Sequence, residues 1–433
     1  MNIQQVKNIH FIGIGGSGMS GLARILKAQK KIITGSDANV SASTAALKKE
    51  GFKVSIGHNA KNIPAGAEAI VYSAAIPKTN PELLEAKKRK LPVYTYTEAV
   101  GFVTQTKKTI CICGTHGKTT TTAMAAAVLL AAKKDPTVIV GANIHELHNK
   151  NARCGKGEYF ILESCEYQRG FLNYQPQIII ITNIEADHLD YYKNLKDYLS
   201  AFKEFIQKLP SNGLVIANVD DPNVRAVLKN FKKAKVVWYG KENLAKLKLH
   251  IPGKHNLMNA TAIMTLAKEL KLPALQVKKA LEKYRGSSRR FEVKGKIGKT
   301  IVIDDYGHHP TEIMATLKAA REKFGRPAKI LCVFQPHQYS RTHKLLNGFA
   351  TAFNDANEVI IPNIFQSRDS QKDLQSVNVE LLVKKISKYQ PNVRDGHGLK
   401  KTLQHLKKTA SHYDVIITMG AGNVYEIAES LIH

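Results

Sequence analysis

Eight consecutive residues, Gly114-Thr115-His116-Gly117-Lys118-Thr119-Thr120-Thr121, hold the parts needed to bind a nucleoside triphosphate. Glycines let backbone N–H groups approach phosphate, Lys118 would neutralise β/γ oxygens, and the Thr119 hydroxyl would ligate Mg²⁺. The strict phosphate loop has glycine where Ile112 stands, so this is the shorter G-x-x-G-K-T form. Mg²⁺ asks for further hard oxygens, and Glu163, with Glu166 close behind, ends an apolar run downstream. The string Asn183-Ile184-Glu185-Ala186-Asp187-His188-Leu189-Asp190 sets more carboxylates and an imidazole after another such run. His188 is therefore a metal or phosphate candidate.

A second glycine cluster, Gly13-Ile14-Gly15-Gly16-Ser17-Gly18, matches G-x-G-x-x-G, with Asp37 placed where an acidic ribose partner could sit. NAD(P), another diphosphate, or a bare strand-to-helix turn all fit it. Asn256 and Asn259 lie three apart on one helix face, placed to cap that helix or to meet a base or phosphate. Further on, Asp304-Asp305-Tyr306-Gly307-His308-His309-Pro310-Thr311-Glu312 gathers two carboxylates and two imidazoles, and Gln335 to Thr342 contains Arg341, a fixed cation suited to phosphate or carboxylate.

Each cluster needs a strand before it and usually a helix after it, and the apolar patterning supplies both. Strands are expected over 9–14, 31–34, 53–56, 69–72 and 92–94, with helices over 17–28, 43–50 and 80–89. A second alternating stretch has strands over 109–113, 137–140, 159–162, 178–182, 215–218 and 236–239, and helices over 119–132, 195–208, 256–270 and 275–283. Strands over 301–304, 330–334, 358–362 and 415–418 open a third. Alternation of this kind implies βαβ units and parallel sheets. The expected architecture is three α/β domains: a Rossmann-like N-terminal domain (1–107), a P-loop-type central domain (108–286) and a smaller α/β C-terminal domain (287–433). Small turn-forming residues over 285–288 make the best hinge.

Composition narrows the function classes. The longest apolar stretch, 123–132, is about half a membrane span, and five cysteines give neither a disulfide framework nor a zinc set. No leader pattern opens the sequence, so a reducing cytoplasm is the expected location. Lys+Arg number 64 against 35 Asp+Glu, a net charge of +29 that favours anionic partners. Aromatics make up only 7% and sit mostly in strand patterns, which argues against a nucleic-acid groove that would need stacking platforms. A nicotinamide dehydrogenase would leave Gly117-Lys118-Thr119 unused.

Taken in order, GIGGSGMSG, GTHGKTTTT, TNIEADHLDYY, PGKHNLMNA, SSRRFE, DDYGHHPTE and QPHQYSRT resemble the Mur ligase family over nearly the whole chain. The resemblance implies three domains that bind a UDP-sugar, ATP and an amino acid. It implies an ADP-forming ligase that joins L-alanine to the lactyl carboxylate of UDP-N-acetylmuramate through an acyl phosphate, in peptidoglycan precursor synthesis. A family branch that recycles a muropeptide tripeptide is the alternative. By resemblance, Gly13, Gly15, Gly16, Ser17 and Gly18 would hold the UDP-muramate diphosphate, with Asp37, His58 and Ser73 toward uridine. Gly114 to Thr120 with Asn256 and Asn259 would hold ATP, and Thr119, Glu163 and His188 the Mg²⁺. Lys118, His188, Arg290, Asp305, His308 and Arg341 would carry the chemistry, with His308 or His188 taking the amine proton. The small-molecule substrates are the expected partners, without nucleic acid or membrane, and the assembly a monomer or weak homodimer. Two strings depart from the family pattern: Glu163-Ser164-Cys165-Glu166-Tyr167-Gln168-Arg169 is less acidic than usual, and Gln338 stands where arginine is customary.

Overall fold

The computed structural model describes residues 3–433. Strands β1 (Asn8–Ile12), β2 (Ile32–Asp37), β3 (Lys53–Ile56), β4 (Ala69–Tyr72) and β5 (Val93–Thr95) form a parallel sheet in the order β3-β2-β1-β4-β5. Strand order reverses between β1 and β4, which opens a crevice beyond their C-terminal ends.

The second sheet holds β6 (Lys108–Cys113), β7 (Thr137–Ile144), β8 (Lys150–Arg153), β9 (Tyr159–Glu163), β10 (Ile178–Ile181), β11 (Leu214–Asn218) and β12 (Lys235–Tyr239), ordered β12-β11-β10-β6-β9-β7-β8. Only β8 runs antiparallel. Strand β6 lies between β10 and β9, so the turn at Gly114, the carboxylate of Glu163 and the segment from Thr182 emerge along one edge. Its burial on both faces explains the unbroken run Ile110 to Cys113.

The third sheet runs β13-β14-β18-β15-β16-β17, from β13 (Glu292–Ile297), β14 (Thr300–Asp305), β15 (Ile330–Phe334), β16 (Glu358–Ile361), β17 (Val393–Asp395) and β18 (Val415–Met419). Along β15, Ile330, Cys332 and Phe334 join one core cluster while Leu331 and Val333 join another. Helices therefore cover both faces of this sheet. The chain is thus a three-domain α/β protein. The first two sheets fall in one compact unit; residues 188–193, 247–258 and 282–433 make a second.

The expected helix over 17–28 is found as Ser17–Ala28, the strands over 53–56, 69–72 and 330–334 also keep their bounds, and the other expected elements differ by a few residues at their ends. Three strands lie outside the patterning, as do the helices Tyr96–Thr104 and Pro222–Leu228. β8, β13 and β17 are edge or short strands with polar, half-exposed sequences, which blurs period-2 alternation. Helix Tyr96–Thr104 has aromatic and β-branched residues and an internal glycine, yet a Thr95/Glu98 capping box and buried Ala99, Val100 and Val103 fix it. Asn256 does not cap its helix, which begins at Lys254; its amide donates instead to Pro252 O at 2.6 Å.

Candidate active site

The first glycine turn is shaped by what surrounds it. Gly13 has φ +79°, and a Cβ on Gly15 would come 2.9 Å from Asp37 Oδ2. Gly15 N–H donates to that oxygen at 2.8 Å, so Asp37 braces the turn from the end of the neighbouring strand. Gly16 precedes helix Ser17–Ala28 without a side-chain cap, leaving the first-turn amides available to an anion. Ser17 Oγ donates to Gly141 O at 2.9 Å, and Asn151 Nδ2 donates to Ser17 O at 2.5 Å. Ser73 stands against Gly13 at the end of β4.

His58 is tied inward. Its Nδ1 lies 2.9 Å from Glu82 Oε1, while Glu82 Oε2 pairs with His10 Nε2 at 2.8 Å and accepts from Ser36 Oγ at 2.8 Å. Burial pushes the Glu82 carboxyl up, but the bonds from His10, His58 and Ser36 outweigh it and hold it below its ordinary value.

The second turn carries two left-handed glycines, Gly114 (φ +129°) and Gly117 (φ +80°). A Cβ on Gly117 would come 2.7 Å from Asn259 Oδ1, so Asn259 packs directly on this turn. Helix Lys118–Ala131 again starts uncapped. Lys118 Nζ folds back to Thr115 O at 3.0 Å and Glu166 Oε2 at 3.1 Å. Burial alone would depress this amine, but Glu166 and then other nearby acidic groups raise it above its usual range, so it stays a cation. Glu166 is fully buried and also accepts from Tyr198 Oη at 2.8 Å. In this structure it is the lysine's partner.

Thr119 Oγ1 donates to Glu163 Oε1 at 2.8 Å, and Glu163 Oε2 accepts from Gly141 N at 2.5 Å. Hydroxyl and carboxylate thus converge at a helix start beside the lysine, a hard-oxygen pair that fits Mg²⁺. Thr115 Oγ1 reaches Glu185 O at 2.9 Å and His116 Nε2 reaches Glu185 Oε2 at 3.0 Å, while Thr120 is buried in the helix.

A cavity of about 530 Å³ joins the first turn to Glu163. Gly16, Ser17, Gly18, Ser73 and Ala74 line one side, and Gly141, Glu163, Cys165 and Gln168 another. Tyr96 and Tyr174 complete its wall. Burial, with Glu163 adding to it, keeps the Tyr96 phenol protonated well past its normal range.

The C-terminal candidates form a second group. Asp305, buried, accepts from the N–H groups of Phe291 and Gly307, each at 2.8 Å, and burial raises its carboxyl. Arg290 lies 3.9 Å from Glu312 and over the Tyr306 ring. His308 Nδ1 is 3.5 Å from Glu312 Oε2 and 3.2 Å from Tyr306 O. Arg341 Nη1 meets His337 Nδ1 at 3.3 Å. Burial, His308 and Arg341 press the His337 imidazole down to about 3, so it is neutral. His188 has φ +52° and its carbonyl accepts from Tyr191 N, closing a tight turn. Sequence reasoning missed Gly141, Asn151, Tyr96 and His337 as members of these groups. Only His337 carried a signal, since it lies inside the Gln335–Thr342 string.

Three family models match the chain in order: the Mur ligase family catalytic domain over residues 8–108, the Mur ligase middle domain over 112–248, and the Mur ligase glutamate ligase domain over 289–422. A UDP-N-acetylmuramate–L-alanine ligase of Clostridium acetobutylicum is 40% identical, covering 98% of this chain and 97% of that protein. Another of the same name, from Persephonella marina, is also 40% identical, over 99% and 96%. The crystal structure of a UDP-N-acetylmuramate–alanine ligase from Thermotoga maritima superposes with a TM-score of 0.81 at 28% identity, over 98% of both chains. With likeness running through all three sheets and almost the full length of each relative, the chain belongs to the Mur ligase family.

Proposed function

We propose that this protein joins L-alanine to the lactyl carboxylate of UDP-N-acetylmuramate, converting ATP to ADP and phosphate, in peptidoglycan precursor synthesis. One observation carries the reading: a single cavity runs from the uncapped helix start at Ser17 to Glu163, the carboxylate that takes the Thr119 hydroxyl of the ATP turn. A nucleotide sugar gripped by its diphosphate at the first turn would extend its acyl group toward the ATP turn.

A carboxylate is a poor acyl donor, so its oxygen first attacks the ATP γ-phosphorus, forming acyl phosphate and releasing ADP. The alanine amine then adds to the acyl carbon, and the tetrahedral intermediate expels phosphate to leave an amide. Gly13, Gly15, Gly16, Ser17 and Gly18 hold the diphosphate, with Asp37, His58 and Ser73 on the uridine side. Gly114 to Thr120, with Asn256 and Asn259, hold ATP. Thr119 and Glu163, with His188, would hold Mg²⁺, which supplies charge neutralisation between the reacting anions. Lys118 provides fixed positive charge at the β/γ oxygens. Arg290, Asp305 and Arg341 serve the transferring phosphoryl and the amino acid, and His308, backed by Glu312, takes the ammonium proton. The domains are assigned to 1–107, 108–286 and 287–433, and the assembly to a monomer or weak homodimer. None of the helices among the described residues is long and apolar enough to cross a membrane, and use of ATP and a UDP-sugar places the reaction in the cytoplasm.

The test is ADP release with UDP-N-acetylmuramate against a panel of acceptors. Turnover with L-alanine and not with the muropeptide tripeptide is expected. Tripeptide-dependent turnover would transfer the chain to the recycling branch, and no turnover with any acceptor would remove the reading.

A further inference from the structure

Tyr96 lines the cavity that holds both the first glycine turn and Glu163. Its ring presses on Gly18, where a Cβ would come 2.6 Å from Cζ and 2.8 Å from Oη, and it lines the same cavity as Glu163. The side chain is the first residue of helix Tyr96–Thr104, which the Thr95/Glu98 capping box anchors through bonds of 2.7 Å and 3.3 Å. Among the described residues its hydroxyl has no hydrogen-bond partner, so a rigidly held donor is left for whatever fills the cavity.

We infer that Tyr96 Oη donates a hydrogen bond to the lactyl carboxylate of the nucleotide-sugar substrate and orients it for attack on ATP. A phenol suits this task better than a cation. A neutral donor engages one carboxylate oxygen while the other keeps its lone pair for the γ-phosphorus, whereas an ion pair would quench the nucleophile. At neutral pH a tyrosine is protonated and can donate. The glycine at 18 then has a second purpose besides phosphate approach, because any side chain there would displace the phenol.

This inference rests on the function proposed above, and the two can fail separately. Calorimetric titration of wild type and Tyr96→Phe with UDP-N-acetylmuramate and with UDP, which lacks the muramyl group, separates them. Phenylalanine keeps the ring against Gly18, and an unchanged melting temperature checks the fold. Tyr96→Phe should weaken UDP-N-acetylmuramate roughly 10-fold or more, the scale of a hydrogen bond to a charged group, and leave UDP within about 2-fold. Equal weakening of both ligands would assign the hydroxyl to the diphosphate and overturn the inference, as would no weakening of either. Wild-type protein that binds neither ligand would instead overturn the proposed function.

Discussion

Lys118 illustrates how single residues are set for their task. Its amine is buried yet kept charged by Glu166, so the site stores a cation where phosphate charge must be met. Lys118→Ala should lose at least about 10²-fold in ligation rate, the scale for removing one such electrostatic donor, and should also lower stability because it leaves the buried Glu166 carboxylate without its cation. Steady-state ADP release with a circular dichroism control measures this, and a near wild-type rate would refute the role. Glu82 makes a different kind of statement. Its carboxyl is held below the ordinary 4.5, so its stabilising contribution is complete above that pH and is lost as pH falls through the folded value. Glu82→Gln should cost about 2 kcal/mol at pH 7, the scale for hydrogen bonds to a buried charged group, and should flatten the acid limb. Urea unfolding at pH 7 and pH 4 reads both effects, and parallel acid limbs would contradict the account. The grouping of Lys118, Thr119 and Glu163 was legible in the sequence because each follows an apolar run that the structure makes a strand of one sheet. The Glu166 pairing with Lys118 was not legible, because adjacency along the chain does not say which way a carboxylate points.

Elements place these side chains, and their visibility in sequence followed their burial. Strands covered on both faces, such as β6 and β15, announce themselves as apolar runs. Edge strands β8 and β13 do not, since half their residues face water. Helix Tyr96–Thr104 was hidden by residues of strand character, and its existence depends on its cap. Glu98→Ala removes one half of the Thr95/Glu98 box and should lower stability by about 1 kcal/mol. Thermal unfolding would show it, and a melting temperature identical to wild type would mean that packing alone secures the helix.

Across the whole molecule the surplus of basic residues acts at long range. A net charge of +29 meets substrates that are all polyanions except the amino acid. Attraction of this type is screened beyond about 10 Å at 0.1 M salt. The KM for the nucleotide sugar should therefore rise roughly 3-fold or more between 50 and 500 mM KCl, with kcat nearly constant. A KM indifferent to salt would mean that the lysines only solvate the surface. The three-domain plan was legible because each sheet begins a new strand–helix alternation. The assembly of the cavity was not, because Gly141 and Asn151 come from strands with no motif.

Gly141 has a quiet consequence for the enzyme. Its carbonyl takes the Ser17 hydroxyl and its N–H takes the Glu163 carboxylate. A residue without a side chain, named by no motif, is thus the shared footing of two ligand seats. Any displacement of that residue would therefore disturb both seats at once, although neither motif names it.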